Sequence, residues 1–449
     1  MRRVLMVSPH FPPDSSAGTH RVRLLAPHLK EFGWAPTVLT VDPRDYEGRL
    51  DPELLAMVPS DLSVVRVRSW SPKWTRMFLF GDLGLRSLPG LFRACKDLHR
   101  EAPFDCVFVT IYPSYTALLG PLVKKRARIP FVLDYQDPWV STWGLTTGPG
   151  AAGTPDPKSR FSRVVARALE PIAVRAADAL TAVSAATLDD VRERVPSART
   201  LPCVEIPIGG ERKDFDFAAS RPRAQGLFDG SDGKVHVSCV GTLLPLGRDT
   251  LRAFLQAVAL LKEREQKLYE RLRIHFVGTS NQTVARSPGV VLPEAERIGV
   301  AGAVQEAPSR VDYLDALGLL SSSSAILLLG SSERHYTASK IYPALLAERP
   351  LLAVFHREST VVAILRKAAN PGSLRLVTYD EERPVATKVE EIYGELHSLV
   401  ALVALVAMVK STGSKAAAAV DPSAFDEYSA RSLARRLANL FTEVVSRRP

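Results

Sequence analysis

The segment of residues 331–350 concentrates side chains that could bind a phosphate group. It holds serine, threonine, lysine, arginine and histidine within a few positions of one another. Lys340 stands where the apolar pattern predicts the start of a helix, and a cation there is unfavourable unless an anion is bound. The first amide groups of a helix also attract phosphate. The segment therefore predicts an anion site, although an ordinary polar loop would carry the same residue types.

The sequence around this segment predicts the elements that would position it. Residues 324–330 form an apolar run typical of a buried strand, residues 345–347 read as a helix, and residues 351–355 form a second apolar run. Strand, helix and strand in this order make a βαβ unit. Open parallel sheets bind ligands outside the carboxyl ends of their strands, and the polar segment follows such an end.

The N-terminal end of the sequence predicts a second loop of this kind. A strand over residues 4–7 is followed by a loop with Gly18, and then by apolar residues at helical spacing that include Pro27. A glycine at this turn would let the backbone approach a ligand, although a plain tight turn would also need it. His10 and His20 could contact a sugar, but a single loop histidine is more often simply exposed.

Two carboxylates follow a further predicted strand. Residues 130–134 end in Asp134, and Asp137, Pro138 and Trp139 come next. Acids at the carboxyl end of a strand lie where an α/β fold places its ligands. An aspartate before a proline is also a common opening of a turn, and both interpretations stay open.

The length of the chain and the repetition of its elements predict two domains. The chain has 449 residues, of which 46% are hydrophobic, so it is long enough for two packed cores. Strands and helices alternate up to residue 208 and resume at residue 234, and Gly209 and Gly210 suit a hinge between the halves. The four cysteines include no close pair. That spacing excludes a zinc ribbon or a C-x-x-C redox site and fits a reducing compartment.

The charge distribution leaves a membrane surface open as a partner. The net charge is +10, and residues 66–100 carry eight basic and two acidic residues interleaved with Trp70, Trp74 and other large apolar side chains. Such a patch could attract anionic lipid or nucleic acid, although a solvated face over core aromatics would look the same. No nucleic-acid module is recognisable. The longest apolar run, residues 399–409, is too short to span a bilayer.

Several short stretches, taken in order, resemble one known family. They are Phe11-Pro12-Pro13 with Ala17-Gly18 and Arg21, residues 104–107, residues 130–139, residues 177–184, Gly241-Thr242 with Arg248, residues 275–278, and Ser339-Lys340-Ile341-Tyr342 with Arg349-Pro350. Their joint order, over nearly the whole chain, resembles the retaining GT-B glycosyltransferases of family 4.

This resemblance implies an α/β GT-B fold, in which two Rossmann-like domains face each other across a cleft. Residues 1–210 would form the acceptor-binding domain, with a C-terminal helix within residues 425–449 packing back on it. Residues 211–424 would form the donor-binding domain. The implied reaction moves a sugar, with retention, from a UDP- or GDP-type nucleotide sugar to a glycan, a lipid-linked acceptor or a small molecule, as in cell-surface polysaccharide synthesis. No metal or other cofactor is implied, and the expected location is cytoplasmic, with peripheral contact with an anionic membrane at its inner face left open.

The resemblance also implies roles for individual residues. Cations placed where the departing diphosphate gains charge would lower the barrier, and Arg248 and Lys340 are the catalytic candidates. The donor-binding candidates are Gly18, Gly241, Thr242, Glu333, His335, Thr337, Ser339 and Ile341. The acceptor-side candidates are His20, Arg21, Tyr112, Asp134, Asp137 and Trp139.

The sequence departs from the family at one motif. When Arg349-Pro350 is aligned with the usual Gly-Lys-Pro, the two glutamates of the E-x7-E motif fall on His335 and Pro343. Neither is a carboxylate, and Glu333 is the nearest acid. Two other functions therefore stay open, a weakly active or non-catalytic GT-B partner subunit and a nucleotide-sugar epimerase.

Overall fold

The computed structural model describes residues 1–77, 81–140, 157–221, 228–243, 245–280, 289–331, 338–410 and 421–447. The chain divides into two compact units. The first unit comprises Met1–Gly209 together with Tyr428–Pro449, and the second comprises Gly210–Glu427. Each unit contains a parallel β-sheet covered by helices.

The strands are short and mostly buried on both faces. They are β1 (Arg2–Val7), β2 (Trp34–Val41), β3 (Ser63–Val67), β4 (Cys106–Thr110), β5 (Phe131–Tyr135), β6 (Ala179–Ala182), β7 (Cys203–Glu205), β8 (Val235–Val240), β9 (Leu272–Val277), β10 (Val304–Ala307), β11 (Ala325–Leu329), β12 (Leu351–His356) and β13 (Leu374–Tyr379). Near-continuous apolar runs, such as that of β11, are what a parallel sheet covered on both faces requires.

The helices occupy the connections between the strands. They are α1 (Thr19–Leu25), α2 (Glu53–Ala56), α3 (Pro72–Met77), α4 (Leu83–Glu101), α5 (Leu119–Ala127), α6 (Pro157–Ala176), α7 (Ala185–Arg194), α8 (Arg212–Ala219), α9 (Arg248–Arg264), α10 (Gln266–Arg271), α11 (Leu292–Ile298), α12 (Tyr313–Ser322), α13 (Ile341–Leu346), α14 (Thr360–Ala368), α15 (Val389–Lys410), α16 (Pro422–Phe425) and α17 (Ala430–Ser446). This strand and helix alternation confirms the α/β class predicted from the sequence.

The described strands of the first unit form one parallel sheet in the order β3-β2-β1-β4-β5-β6-β7. The order reverses between β1 and β4, which pair directly, for instance Val7 with Val109. A reversal of this kind opens a crevice at the carboxyl ends of the two strands, where α/β proteins bind ligands. The first unit therefore has its potential ligand edge after β1 and β4.

The C-terminal helix belongs to the first unit. The sequence predicts one helix over residues 425–445, whereas the chain turns after α16 and starts α17 afresh at Ala430, because the Ser429 side chain caps the new helix. Leu437 and Phe441 of α17 are fully buried in the core of this unit. Burying a leucine or phenylalanine side chain contributes about 1.5–3 kcal/mol. The helix is therefore an integral part of the first hydrophobic core.

The described strands of the second unit form a parallel sheet in the order β10-β9-β8-β11-β12-β13. The reversal lies between β8 and β11, which pair through Val237 and Ala325. One face of the sheet is covered by α9 and α15, whose Phe254 and Leu396 share a core with Leu327 of β11. The carboxyl ends of β8 and β11 therefore form the potential ligand edge of this unit.

Three elements differ in extent from the sequence-based expectation. The strand predicted over residues 201–208 is only Cys203–Glu205, because Pro202 and Pro207 bracket it and proline donates no backbone hydrogen bond. The helix expected at residues 345–347 begins earlier, at Ile341, with Pro343 in its first turn, where its missing donor costs little. At Pro27 the expected bend is present as a change from α1 to a 3-10 helix.

The longest apolar run of the sequence lies in α15. Leu399 and Val400 are buried in the second core, and the first turn of the helix carries Glu390 and Glu391. In the part of the chain that the structure describes, no helix is both long enough and apolar enough to cross a bilayer.

Candidate functional site

A small pocket opens at the strand-order reversal of the second unit. Its walls come from the ends of β8 and β11, from the turn before α9 and from the turn before α13. The lining residues are Thr242, Leu243, Gly247, Leu329, Gly330, Ser331 and Lys340. The fold thus brings together three stretches, near residues 241, 248 and 340, that the sequence resemblance assigned to one donor site.

The turn after β8 depends on glycine. Gly241 has a φ of 115°, a left-handed conformation in which residues with side chains are strained. Its backbone amide donates to the carbonyl of Val277 at the end of β9 at 2.8 Å, and the amide of Gly278 donates in the same way to the carbonyl of Ala307 at the end of β10. The turn directs the chain past Lys340, whose Cδ atom would lie 3.6 Å from a β-carbon at position 241. Thr242 and Lys340 consequently line the same pocket.

Lys340 presents a cation to this pocket without a carboxylate partner among the described residues. It is half-buried, and no ion pair joins its ammonium to a described aspartate or glutamate. The ammonium lies near the thiol of Cys239, a buried residue of β8. Burial raises the pKa of that thiol, and the nearby Lys340 charge opposes the rise. A partly buried cation next to a neutral thiol is arranged to accept an anionic ligand.

Arg248 supplies a second positive charge at the same edge. It is the first residue of α9, is exposed, and pairs with no described carboxylate. The N-cap residue of α9, Gly247, provides no side-chain hydrogen bond to the first turn. The opening amides of this long helix thus receive no side-chain hydrogen bond from the N-cap residue, and they add positive potential beside the pocket.

The Tyr379 side chain forms a hydrogen bond with Ser331, one of the residues that line the pocket, although the sequence gives no sign of this contact. Its hydroxyl donates to the Ser331 carbonyl at 2.8 Å and lies 3.2 Å from Thr250 Oγ1 of α9. Burial raises the pKa of the Tyr379 hydroxyl, so it stays a neutral donor. This contact joins the ends of β11 and β13 to the first turn of α9. A tyrosine at the end of a strand is too common for its partners to be inferred without the fold.

The remaining predicted donor residues fall into two groups. Glu333, His335 and Thr337 lie outside the described residues. Ser339 is exposed and adjoins Lys340, whereas the Ile341 side chain is fully buried in α13. Ile341 is therefore a core residue, and its side chain presents no surface to a ligand.

In the first unit, Gly18 lies against Tyr112. A β-carbon at position 18 would come within 2.0 Å of the Tyr112 ring, so the absence of a side chain is what lets the ring pack there. His20 is half-buried on α1 and accepts from Arg23 Nε at 3.3 Å. Gly18 and Tyr112, assigned to the donor and acceptor sides respectively, are thus neighbours at the reversal between β1 and β4.

Arg21 and Asp134 form a buried ion pair, which changes the interpretation of both residues. Arg21 Nε lies 3.0 Å from Asp134 Oδ2, and both side chains are completely shielded from solvent. The same guanidinium donates to the Ile206 carbonyl, and Thr181 donates to Asp134 Oδ1 at 2.7 Å. Neither side chain offers a surface to an acceptor. The pair ties α1 to the end of β5 and to the segment after β7.

The other two acceptor-side candidates, Asp137 and Trp139, differ in their exposure to solvent. Asp137 is exposed in the turn after β5. Trp139 is only 7% exposed and packs edge-on against Tyr115 at a centroid distance of 6.0 Å. Trp139 is therefore a core residue, because a large aromatic ring beside β5 gains more from burial than from solvent.

Two histidines form a buried pair in the second unit, one on β8 and one on β9. His236 Nδ1 lies 2.9 Å from His275 Nε2, and Phe228 stacks on both rings. Burial, together with the neighbouring His236, lowers the pKa of His275 to about 4. Among the described residues, no group of three or more histidine, cysteine, aspartate or glutamate side chains is placed to hold a metal ion. His275 is therefore neutral at neutral pH, and the pair is structural in character.

Comparisons with known proteins concern the sequence of the first unit and the fold of the whole chain. Residues 17–204 match the family model described as "Glycosyl transferase 4-like domain", whereas a sequence search among curated proteins found no significant match. The structure of Anabaena HepE in complex with UDP and glucose is similar with a TM-score of 0.59 and 14% identity, covering 99% of this chain and 100% of that one.

A UDP-forming α,α-trehalose-phosphate synthase from Burkholderia xenovorans is similar with a TM-score of 0.62, 11% identity and 99% coverage of both chains. A Candida albicans trehalose-6-phosphate phosphatase N-terminal domain is similar with a TM-score of 0.60 and 12% identity, covering 99% of this chain and 97% of that one. At such identities the likeness establishes the fold. Residues 17–204 are thus similar to a glycosyl transferase 4-like domain, and the chain as a whole has the GT-B fold.

Proposed function

We propose that this protein transfers a sugar from a nucleotide-diphosphate sugar to an acceptor hydroxyl. The observation that carries the proposal is Lys340, a partly buried cation without a described carboxylate partner, which lines a pocket with Thr242 at the strand reversal of the second unit. The match to a glycosyl transferase 4-like domain supports the reaction class. Similar structures described in complex with UDP, and with UDP-glucose, favour a uridine nucleotide as the donor.

The chemistry follows from where charge develops. As the bond between the sugar and the diphosphate breaks, the leaving diphosphate gains negative charge. Lys340 and Arg248 are already in place, so they stabilise that charge without reorganising in the transition state. At an effective dielectric constant of about 20, two unit charges roughly 4 Å apart attract by about 4 kcal/mol. This attraction is our reason for proposing that the transfer needs no metal ion. Transfer of a hexosyl group with retention at the anomeric carbon is proposed from the resemblance to the family alone.

The first unit would bind the acceptor, and we place the protein in the cytoplasm with contact with an anionic membrane surface. Trp70 and Trp74 are 62% and 69% exposed on and before α3. Lys73 lies between them, and Arg66 is also exposed. Exposed tryptophans beside basic residues favour the interface of an anionic bilayer. This surface suits a lipid-linked glycan acceptor.

A non-catalytic partner subunit is the second candidate. The observation in its favour is Pro343, which stands in the first turn of α13 where the family's second motif glutamate is expected. Proline cannot supply a carboxylate to the ribose hydroxyls. A subunit of this kind would keep the GT-B fold but would release no nucleotide from a nucleotide sugar.

Calorimetric titration with UDP and with GDP tests the donor site. Lys340→Ala should weaken UDP binding about 10- to 100-fold, because charge-assisted hydrogen bonds are worth about 1.5–3 kcal/mol. Lys267→Ala, which removes an exposed lysine of α10, is the matched control and should leave binding unchanged. Release of UDP from UDP-glucose in water would then separate a transferase from a partner subunit. Absence of binding by UDP and GDP in the wild type would refute the donor site.

A further inference from the structure

The Tyr379 hydroxyl connects two stretches that line or border the pocket of the second unit. It donates to the Ser331 carbonyl at 2.8 Å and, because its only proton is used there, it accepts from Thr250 Oγ1 at 3.2 Å. Ser331 follows β11 and lines the pocket, and Thr250 lies in the first turn of α9. One hydroxyl group therefore links the polar stretch after β11 to the helix that begins with Arg248.

The same bond fixes the direction of the Ser331 carbonyl. Tyr379 is 4% exposed, belongs to the hydrophobic core of the second unit and is not among the described residues that line the pocket. The carbonyl oxygen therefore points toward the core. Phosphate binds to hydrogen-bond donors such as backbone N–H groups, and a carbonyl oxygen in the pocket would repel it. The bond thus keeps an unfavourable group out of the pocket wall.

The Tyr379 ring is itself held by its surroundings. Tyr379 pairs with His356 of β12 in the parallel sheet. The two rings pack edge-on, with an interplanar angle of 89° at a centroid distance of 5.7 Å. Burial raises the pKa of the Tyr379 hydroxyl, which stays protonated and remains a donor. Because the ring is buried between fixed neighbours, the sheet determines where the hydroxyl lies.

A fixed link is needed at this edge because its two cations repel each other. Lys340 and Arg248 stand on different elements, at the N-cap of α13 and at the first position of α9. In the absence of a bound anion, their charges favour separation of the two elements. Charged groups stabilise a developing charge best when they are preorganised, and supporting hydrogen bonds supply that order.

We infer that Tyr379 is a positioning residue of the diphosphate site. It holds the stretch after β11 and the start of α9 at the spacing that lets Lys340 and Arg248 bind one diphosphate together. Tyr379 acts through Ser331 and Thr250 and does not touch the ligand. This inference rests on the proposed function and extends the donor site to a residue that does not line it.

Calorimetric titration with UDP compares two buried tyrosines of the second unit. Tyr379→Phe keeps the ring and removes the hydroxyl, and it should weaken UDP binding about 5- to 30-fold, because it leaves a buried carbonyl unsatisfied and breaks the link to α9. Tyr269→Phe is the matched control, since the Tyr269 hydroxyl also donates to a backbone carbonyl, that of Val300 at 3.4 Å, and neither residue lines the pocket. Both variants should melt below the wild type, whereas UDP affinity should fall only in Tyr379→Phe.

A double-mutant cycle tests whether Tyr379 acts through the cations. In a Lys340→Ala background, Tyr379→Phe should change UDP affinity less than about two-fold, because the effects of residues that act together do not add. A loss that repeats its full size in that background would overturn the inference. Thr250→Val, which leaves the bond to Ser331 intact, should weaken UDP binding by a smaller factor than Tyr379→Phe. Wild-type affinity in Thr250→Val would overturn the link to α9.

The outcomes separate this inference from the proposed function. If the wild type binds UDP, equal affinity in Tyr379→Phe would overturn the role of Tyr379 and leave the donor site intact, and so would an equal loss in Tyr269→Phe. A wild type that binds neither UDP nor GDP would instead remove the proposed function and with it the site that Tyr379 serves.

Discussion

The buried pair of Arg21 and Asp134 leads to a sharp prediction about stability. Asp134→Asn keeps the size of the side chain but removes its charge. The Arg21 guanidinium would then remain buried, with Nε and a terminal nitrogen facing an amide in place of the carboxylate they now contact at 3.0 and 2.5 Å. Because both side chains have no exposed surface, water cannot compensate for the lost charge.

The expected size of the effect follows from that burial. Breaking a buried ion pair by removing one partner costs about 3–5 kcal/mol. In a domain of roughly 150–250 residues, each kcal/mol lowers the melting temperature by about 2–4 °C, so the first unit should melt about 6–20 °C lower. Asp137→Asn is the matched control, since Asp137 is an exposed residue of the turn that follows Asp134 and forms no ion pair with a described residue.

Differential scanning calorimetry measures both variants directly. A second comparison uses the double variant Arg21→Met with Asp134→Leu, which removes both charges. It should recover much of the lost stability, because apolar replacement of a whole buried pair is often neutral. If Asp134→Asn melts within about 2 °C of the wild type, or no lower than Asp137→Asn, the pair is not the structural bridge described here, and an acceptor role for Asp134 would return.

Two further predictions concern other parts of the molecule. The pKa of His275 is about 4 when folded and near 6.5 when unfolded, so the unfolded state binds more protons at mildly acidic pH. The stabilisation is complete above pH 6.5 and is lost as the pH falls toward 4, by about 3 kcal/mol. Urea unfolding at a series of pH values should show a shallower decline in His275→Gln, and equal slopes would refute the reasoning. Trp70→Ala with Trp74→Ala should reduce sedimentation with phosphatidylserine vesicles several-fold, whereas Phe161→Ala, which removes an aromatic ring that is 65% exposed elsewhere in the first unit, should not. Binding that survives both tryptophan substitutions would remove this surface as the membrane contact.

The two sheets place their candidate groups by the same topological rule. In the first, His10 and Tyr112 follow the strands at the reversal, and in the second Gly241 and Ser331 do so. Side chains after two neighbouring parallel strands converge because the strands end at one edge of the sheet. The rule explains why residues far apart in the sequence can be assigned to one site before their distances are known.

The sequence by itself determined the alternation of strands and helices, and it predicted a division of the chain near Gly209 and an anion site at residues 331–350. Those features depend on local patterns, since apolar runs form buried strands and helical spacing forms the covering helices. The order of elements then brings Thr242 and Lys340 together at a strand reversal. The polar stretch before α13 could therefore be recognised as a candidate site from its residue types alone.

Only the tertiary structure decided which polar residues serve the fold and which face a ligand. Arg21 and Asp134 are 113 positions apart, and nothing in either neighbourhood indicates that each is the other's partner. Trp139 and Ile341 look like site residues by position but are buried, because burial depends on which neighbouring elements pack over them. In the sequence, His10 cannot be told from an ordinary loop histidine. Only the folded chain places an aspartate and two tyrosines in contact with its ring.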